Sequence, residues 1–154
     1  MTINRQVVLA SYVTDAAKPE NFAMSEGSIP EPAEGEFLLR NMYFSMEPAI
    51  RGWVDGKANY FEPIPIGGVI RGPSVGQVVK SRNPDFAEGE YVFALNQWED
   101  YSICHSDAIL LEKLKPEAGI PLSYYVGSLG GAGATAYIGL HEVGQIKAGQ
   151  TVVV

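Results

Sequence analysis

Glycine and proline interrupt this chain so often that no long regular element fits before residue 115. Pro30, Pro32 and Gly35 fall within one short stretch, and Gly56, Pro63, Pro65, Gly67, Gly68, Gly72, Pro73 and Gly76 within the next. Proline fixes its φ and cannot donate to a ladder, so such clusters punctuate the chain as turns. What survives between them are short runs rich in Val, Ile, Leu, Tyr and Phe. They are Gln6 to Val13, Glu36 to Ser45, Ser74 to Lys80, Tyr91 to Leu95, Glu99 to Cys104 and Ala108 to Leu114, with a brief run at Phe22 to Met24. Closely spaced short strands of this kind predict a mainly β fold, a partly open β-barrel or sandwich. The glycines inside the pattern from Ile66 to Lys80 predict bulges and sharp bends, as at barrel corners.

The pattern changes after Pro116. Pro121 to Leu129 is apolar and aromatic, and Ala134, Tyr137, Ile138 and Glu142 recur at helical spacing, which predicts a helix over 133–143 with Gly144 as its C-cap. The closing run Gln150 to Val154 reads as a strand buried on both faces, as in a parallel sheet. Such a strand has no sheet to join within the sequence, so the chain reads as a fragment or as one cut at a domain boundary.

Composition narrows the function. The 154 residues are 46% hydrophobic and 19% charged, a globular balance. A net charge of −7 with no basic stripe argues against a nucleic-acid partner. One cysteine, Cys104, excludes an intrachain disulfide framework and any multi-cysteine zinc site. The amino terminus lacks the apolar region of a signal peptide, and no apolar run approaches the ~20 residues of a membrane helix. These features predict a soluble, cytoplasmic protein without a metal.

Two stretches invite a functional reading. Asn41 to Trp53 begins as an apolar strand and ends in a turn led by Pro48 that carries Ala49, Arg51 and Trp53. It is either a pocket edge or a core strand with an ordinary turn. The loop from Gly52 to Pro65 is long, and its aromatics Trp53, Tyr60 and Phe61 favour a functional role. Gly131 to Ala136 matches G-x-G-x-x-A at a helix start, with Tyr124 to Val126 as a conceivable preceding strand. It is either a dinucleotide fingerprint or a set of glycines that lets a helix start pack closely on the barrel. The fingerprint requires a βαβ unit of ~30 residues with an acidic residue after its second strand, and the sequence stops before one appears. Ser128 fails as a nucleophile elbow, because Val126 stands where glycine is required. His105 and His141 lack a spaced metal partner and read as surface residues, Glu112 and Glu117 as a solvated face, and Cys104 as a small buried hydrophobe.

The segments Ser45 to Gly52, Pro65 to Gly72, Val75 to Val79, Trp98 to Tyr101, Leu129-Gly130 with Gly133 and Thr135 to Tyr137, and Gly149 to Val154 together resemble the zinc-independent medium-chain dehydrogenase/reductases. Within them the chain is similar to the branch of prostaglandin, alkenal double-bond and curcumin reductases. The resemblance covers nearly the whole chain. It implies a GroES-like β-barrel over residues 1–130, followed over 131–154 by a crossing helix and the first strand of a Rossmann domain that binds NADP(H) and is missing from this sequence. It further implies no zinc, since Gly67-Gly68-Val69 stands where zinc-dependent relatives carry Gly-His-Glu. By the same resemblance Pro48, Gly131, Gly133 and Thr135 border the cofactor. Ala49, Arg51, Trp53 and Tyr60 line the substrate site, and Tyr60 is the candidate catalytic donor. Ala49 departs from the tyrosine common in relatives, and Gly131-Ala132 from their Met-Pro. The implied reaction is NADPH-dependent reduction of the C=C bond of small α,β-unsaturated ketones and aldehydes, with homodimers formed by the full-length enzyme. These residues alone are expected to be inactive and to bind NADPH poorly. The competing reading is a GroES-like binding or assembly module without chemistry. A gene that continues past Val154 into a glycine-rich loop separates the first reading from the second.

Overall fold

The computed structural model describes residues 3–153. Among these residues seven strands form two sheets. β1 (Ile3–Leu9) and β2 (Phe22–Ser28) make an antiparallel ribbon. β3 (Glu36–Phe44), β4 (Arg71–Ser81), β5 (Tyr91–Gln97), β6 (Tyr101–His105) and β7 (Glu112–Leu114) make an antiparallel sheet in the order β6-β3-β4-β5-β7. The free edge of β1 is tied to the larger sheet where its strands end. Val7 N donates to Trp98 O at 2.9 Å, Ile70 N to Val7 O at 2.8 Å, and Asp100 N to Arg5 O at 3.0 Å. The two sheets are thereby joined at a corner and stay open, which is the mainly β, partly open architecture the punctuation predicts.

One of the two bulges lies where the glycines predict it. The β3–β4 register slips between Leu38 and Leu39 and again between Asn41 and Tyr43, opposite Gly76. A Cβ on Gly76 would stand 2.8 Å from the carbonyl oxygen of Arg40, closer than side-chain carbons approach, so only glycine lets the two strands meet there.

Two apolar cores result. Leu9, Val13, Ile50, Trp53, Val54, Ile64 and Ile70 fill the corner under the ribbon. Phe37, Leu39, Val78, Phe86, Val92, Ala94 and Cys104 fill the face of the larger sheet, with Phe37 and Phe86 stacked at 4.3 Å. Along β4, Ser74 falls between Ile70 of the first core and Val78 of the second. There it joins a buried polar cluster made of Asn4, Asn41, Asn96, Glu99 and Ser102.

Several elements differ from the sequence reading. β1 ends at Leu9, yet Val13 remains buried in the corner core, its N–H donating to Val54 O at 2.9 Å. β2 runs on to Ser28, since every residue from Phe22 pairs with β1. The Pro48-led turn is a one-turn helix, α1 (Ala49–Trp53), entered from Pro48 at φ −58, the value proline's ring already imposes. Tyr124 to Val126 is not a strand but part of a 3-10 turn, Leu122–Val126, started by Pro121. The predicted helix exists as α2 (Gly131–Tyr137), which widens over Ile138–Val143 into a π segment, where Gly144 N donates to Gly139 O at 2.8 Å. Residues 151–153 take no strand pairing, and Val154, the end of the predicted strand, lies outside the described residues. Among the described residues none after Cys104 is buried: β7 is the edge of the larger sheet, and the residues that follow it add nothing to either core.

Candidate active site

β3 delivers the chain to the site and α1 turns it. Ser45 N donates to Pro73 O at 2.8 Å, which carries the β3–β4 pairing one residue past the strand. Ile50 and Trp53 point from α1 into the corner core. Pro48 is exposed and Ala49 half-buried, so the head of α1 faces outward with no bulky side chain on it. Arg51 donates to Asp15 O at 2.9 Å and fastens α1 to the loop after β1.

The loop after α1 folds back on the helix that launches it. Asn59 Nδ2 donates to Gly52 O at 2.6 Å and Ile64 N to Trp53 O at 2.7 Å. Trp53 meets Phe61 edge-on at 5.3 Å, and Phe61 meets Tyr60 at 5.3 Å. Tyr60 is 74% exposed, and its hydroxyl has no hydrogen-bond partner among the described residues. Arg71, the first residue of β4, lies over both rings, 5.6 Å from Trp53 and 5.3 Å from Phe61, and donates to the carbonyl of Glu62. Burial pulls its guanidinium below the ordinary range, opposed by the charge of Glu62. Sequence reasoning assigned Arg71 no role, because its partners are distant ring faces that no local pattern reveals.

The structure brings Pro48, Ala49, Arg51, Trp53 and Tyr60 onto α1 and the loop that follows it. Gly131, Gly133 and Thr135 lie elsewhere, on α2, and no hydrogen bond joins α2 to α1 among the described residues. Gly133 is required by packing, since a Cβ there would overlap the carbonyl of Ser128. Thr135 Oγ1 donates to Gly131 O at 2.7 Å, so its proton is committed to the helix. With a 3-10 turn before it rather than a strand, Gly131 to Ala136 does not form the strand–turn–helix of a dinucleotide fingerprint.

A separate cleft of about 820 Å³ runs beneath the ribbon and is lined by Asn4, Gln6, Arg71, Asn96 and Glu99, among others, but by no residue of α1 and not by Tyr60. Cys104 borders it. Burial first, and then the charge of Glu99, push its thiol up to about 12, against a hydrogen bond from Asn96. The group is an inert core thiol at neutral pH. His105 and His141 are exposed. Among the described residues no group of three His, Cys, Asp or Glu side chains is arranged to hold a metal ion.

Residues 5–111, most of the β fold, match the family model described as the N-terminal domain of oxidoreductase. The chain is an amino-terminal domain of the zinc-independent medium-chain dehydrogenase/reductase family. Within that family it is 42% identical over 151 residues to the NADPH-dependent curcumin reductase of Escherichia coli, covering 98% of this chain and 43% of the relative. It is 35% identical over 156 residues to the NADP(+)-dependent 2-alkenal reductase of Nicotiana tabacum, covering 98% of this chain and 45% of the relative. Its backbone matches the crystal structure of CurA from Vibrio vulnificus in complex with NADPH with a TM-score of 0.82 at 42% identity, over 95% of this chain and 42% of that one. The chain thus spans less than half the length of these family members. The segments that carry the resemblance fall on the structure as one frame: Ser45 to Gly52 is the entry to α1, Pro65 to Gly72 the approach to β4, and Trp98 to Tyr101 the turn into β6.

Proposed function

We propose that this chain is the substrate-binding domain of an NADPH-dependent reductase that saturates the C=C bond of small α,β-unsaturated ketones and aldehydes. The observation that supports it most is the family match, with relatives named for NADPH and for alkenal and curcumin reduction, joined to an exposed phenol on an aromatic loop. When bound, the cofactor supplies the hydride for the β-carbon. Few residues of this chain fit that cofactor: the exposed Pro48 and the uncharged stretch Gly131 to Thr135, none of which carries a positive charge. Such a surface suits the neutral nicotinamide end. The phosphates need cations that these positions do not offer, so most cofactor binding falls to a separate Rossmann domain on this reading.

This chain's share of the reaction is shape and polarisation. Ala49, at the position where the resemblance puts a tyrosine in many relatives, leaves room at the head of α1; Arg51 is held by its bond to Asp15 O, and Trp53 supports the site from within the corner core. Tyr60 then hydrogen-bonds through its phenolic O–H to the carbonyl oxygen of the enone as negative charge gathers there, and the enolate takes its proton at the α-carbon from solvent. A bond that strengthens as the charge develops raises kcat more than it tightens binding. The full-length reductase acts as a soluble cytoplasmic homodimer on this reading. Among the described residues no helix is long and apolar enough to cross a membrane.

The test is NADPH consumption by the full-length protein against a panel of enones, enals and saturated ketones, with alcohols assayed beside them for NADPH formation from NADP+, wild type beside Tyr60→Phe. Turnover of the conjugated substrates alone is the expected result, with Tyr60→Phe lowering kcat by about 10²–10³ at nearly constant KM. No turnover of any conjugated substrate, or oxidation of alcohols in its place, would overturn the reductase reading. Unchanged kinetics in Tyr60→Phe would remove the donor role.

A further inference from the structure

The loop that presents Tyr60 has few anchors of its own. Asn59 is tied to Gly52 O at 2.6 Å and Ile64 to Trp53 O at 2.7 Å. Between them Phe61 packs edge-on against Trp53 at the rim of the corner core and lies under the guanidinium of Arg71, which also donates to the carbonyl of Glu62, so Arg71 is the contact that the loop makes with β4. The strand that bears Arg71 does not depend on this side chain, because β4 is held by backbone pairing to β3 and β5, including Arg71 opposite Gln97. Arg71 Nε and Trp53 Nε1 are buried without hydrogen-bond partners among the described residues, so the guanidinium's burial is compensated by the aromatic faces and by Glu62. A planar guanidinium can lie on a ring face while its in-plane N–H groups still donate to a carbonyl; an ammonium cannot do both.

The geometry points to Arg71 as the positioning residue of the proposed active-site loop: through Phe61 and Glu62 it fixes the position from which Tyr60 reaches the substrate. This rests on the reading of Tyr60 as the donor. Displacement of a reacting group by an ångström costs up to about 10²-fold in rate, so a loosened loop is read in kcat before KM.

The test has a structural and a kinetic arm in the full-length protein. Lys57 is exposed within the loop, and Lys80 lies in β4. Cleavage by a lysine-specific protease after Lys57 is expected to accelerate about ten-fold in Arg71→Met, the change in open population that loss of one desolvated cation–π contact produces. Cleavage after Lys80 stays at the wild-type rate. Phe61→Leu, which removes the ring from the loop side, gives the same signature. In kinetics Arg71→Met lowers kcat with KM near wild type, Arg71→Lys recovers part of it, and Arg71→Met adds nothing on a Tyr60→Phe background. An unchanged rate after Lys57 in both variants overturns the inference, as does equal acceleration after Lys80. Additive losses in the double variant also overturn the route through Tyr60. Faster cleavage after Lys57 with a kinetically silent Tyr60→Phe removes the donor reading and leaves the anchoring by Arg71 supported.

Discussion

Arg5 and Asp100 show what an exposed pair contributes in this domain. Arg5 Nε donates to Asp100 Oδ2 at 2.8 Å and Nη2 to Oδ1 at 3.0 Å, a two-pronged contact between β1 and the turn into β6. The hydrogen bond from Arg5 holds the Asp100 carboxyl below its ordinary value of 3.8, with burial opposing. The side chains are 66% and 32% exposed, so water and salt screen most of the attraction. Because the folded pKa is the lower one, the stabilisation is complete above the unfolded value and is lost as pH falls through the folded one. Asp100→Asn is therefore expected to lower stability by less than about 1 kcal/mol at neutral pH, with the deficit closing below about pH 4 as the wild-type carboxyl protonates. Urea midpoints across a pH series measure it. A deficit that persists undiminished at the acid end would show that the pair's charge is not what stabilises.

At the scale of elements, α2 separates glycine needed for space from glycine that is not. A Cβ on Gly131 meets nothing within 4 Å, whereas one on Gly133 would overlap Ser128 O. Gly131→Ala is expected to firm the helix by up to about 1 kcal/mol through lower unfolded-state entropy and better propensity. Gly133→Ala is expected to cost about 1–3 kcal/mol, as overpacking does, and to open the preceding turn. Amide exchange over residues 127–137 reads both, and protection that falls in Gly131→Ala would contradict the spacing. The elements themselves were unequally legible. Strands β3, β4 and β5 follow from β-branched and aromatic runs bounded by turn residues, because pleated burial selects those residues locally. The single turn of α1 is too short for helical periodicity, and it carries Gly52 and Trp53 where helix formers would announce it. Its sequence reading as a turn was sound in place and wrong in geometry. The site was partly legible: the clustering of α1 with the aromatic loop could be read from Pro48, Trp53 and Tyr60, while Arg71 could not, since its role exists only once β4 is laid beside that loop.

At the scale of the whole molecule, one carboxylate joins the two sheets. Glu99, only 8% exposed, accepts from Asn4 Nδ2 at 3.0 Å and Gln6 Nε2 at 2.7 Å on β1, and from Ser102 Oγ at 2.8 Å on β6. Asn41 on β3 extends the cluster, donating to Ser102 Oγ and to Glu99 O at 2.9 Å and accepting from Asn96 Nδ2 at 3.2 Å. Partners more than ninety positions away, 95 for Asn4 and 93 for Gln6, leave no trace in a local pattern, which is why an acidic residue beside Trp98 gave no sign of this role. Removing the carboxylate takes one partner at once from Asn4, Gln6 and Ser102. Asn4 keeps Tyr101 O at 2.9 Å, whereas Ser102 keeps only its bond from Asn41. Each buried donor left unpaired costs about 1–3 kcal/mol, so Glu99→Ala is expected to be among the most destabilising single changes in the domain. Glu99→Gln should fall between it and wild type, since an amide retains one acceptor but turns its NH₂ toward a donor. The loss should also be uneven. β1 is fastened to the larger sheet by this cluster and by a few backbone bonds at its free edge, while β3 and β4 keep their full ladder. Amide exchange in Glu99→Ala is therefore expected to quicken across β1 and β2 far more than across β3 and β4. Equal acceleration in both sheets would mean that the carboxylate supports the fold as a whole and does not specifically hold the ribbon to the sheet.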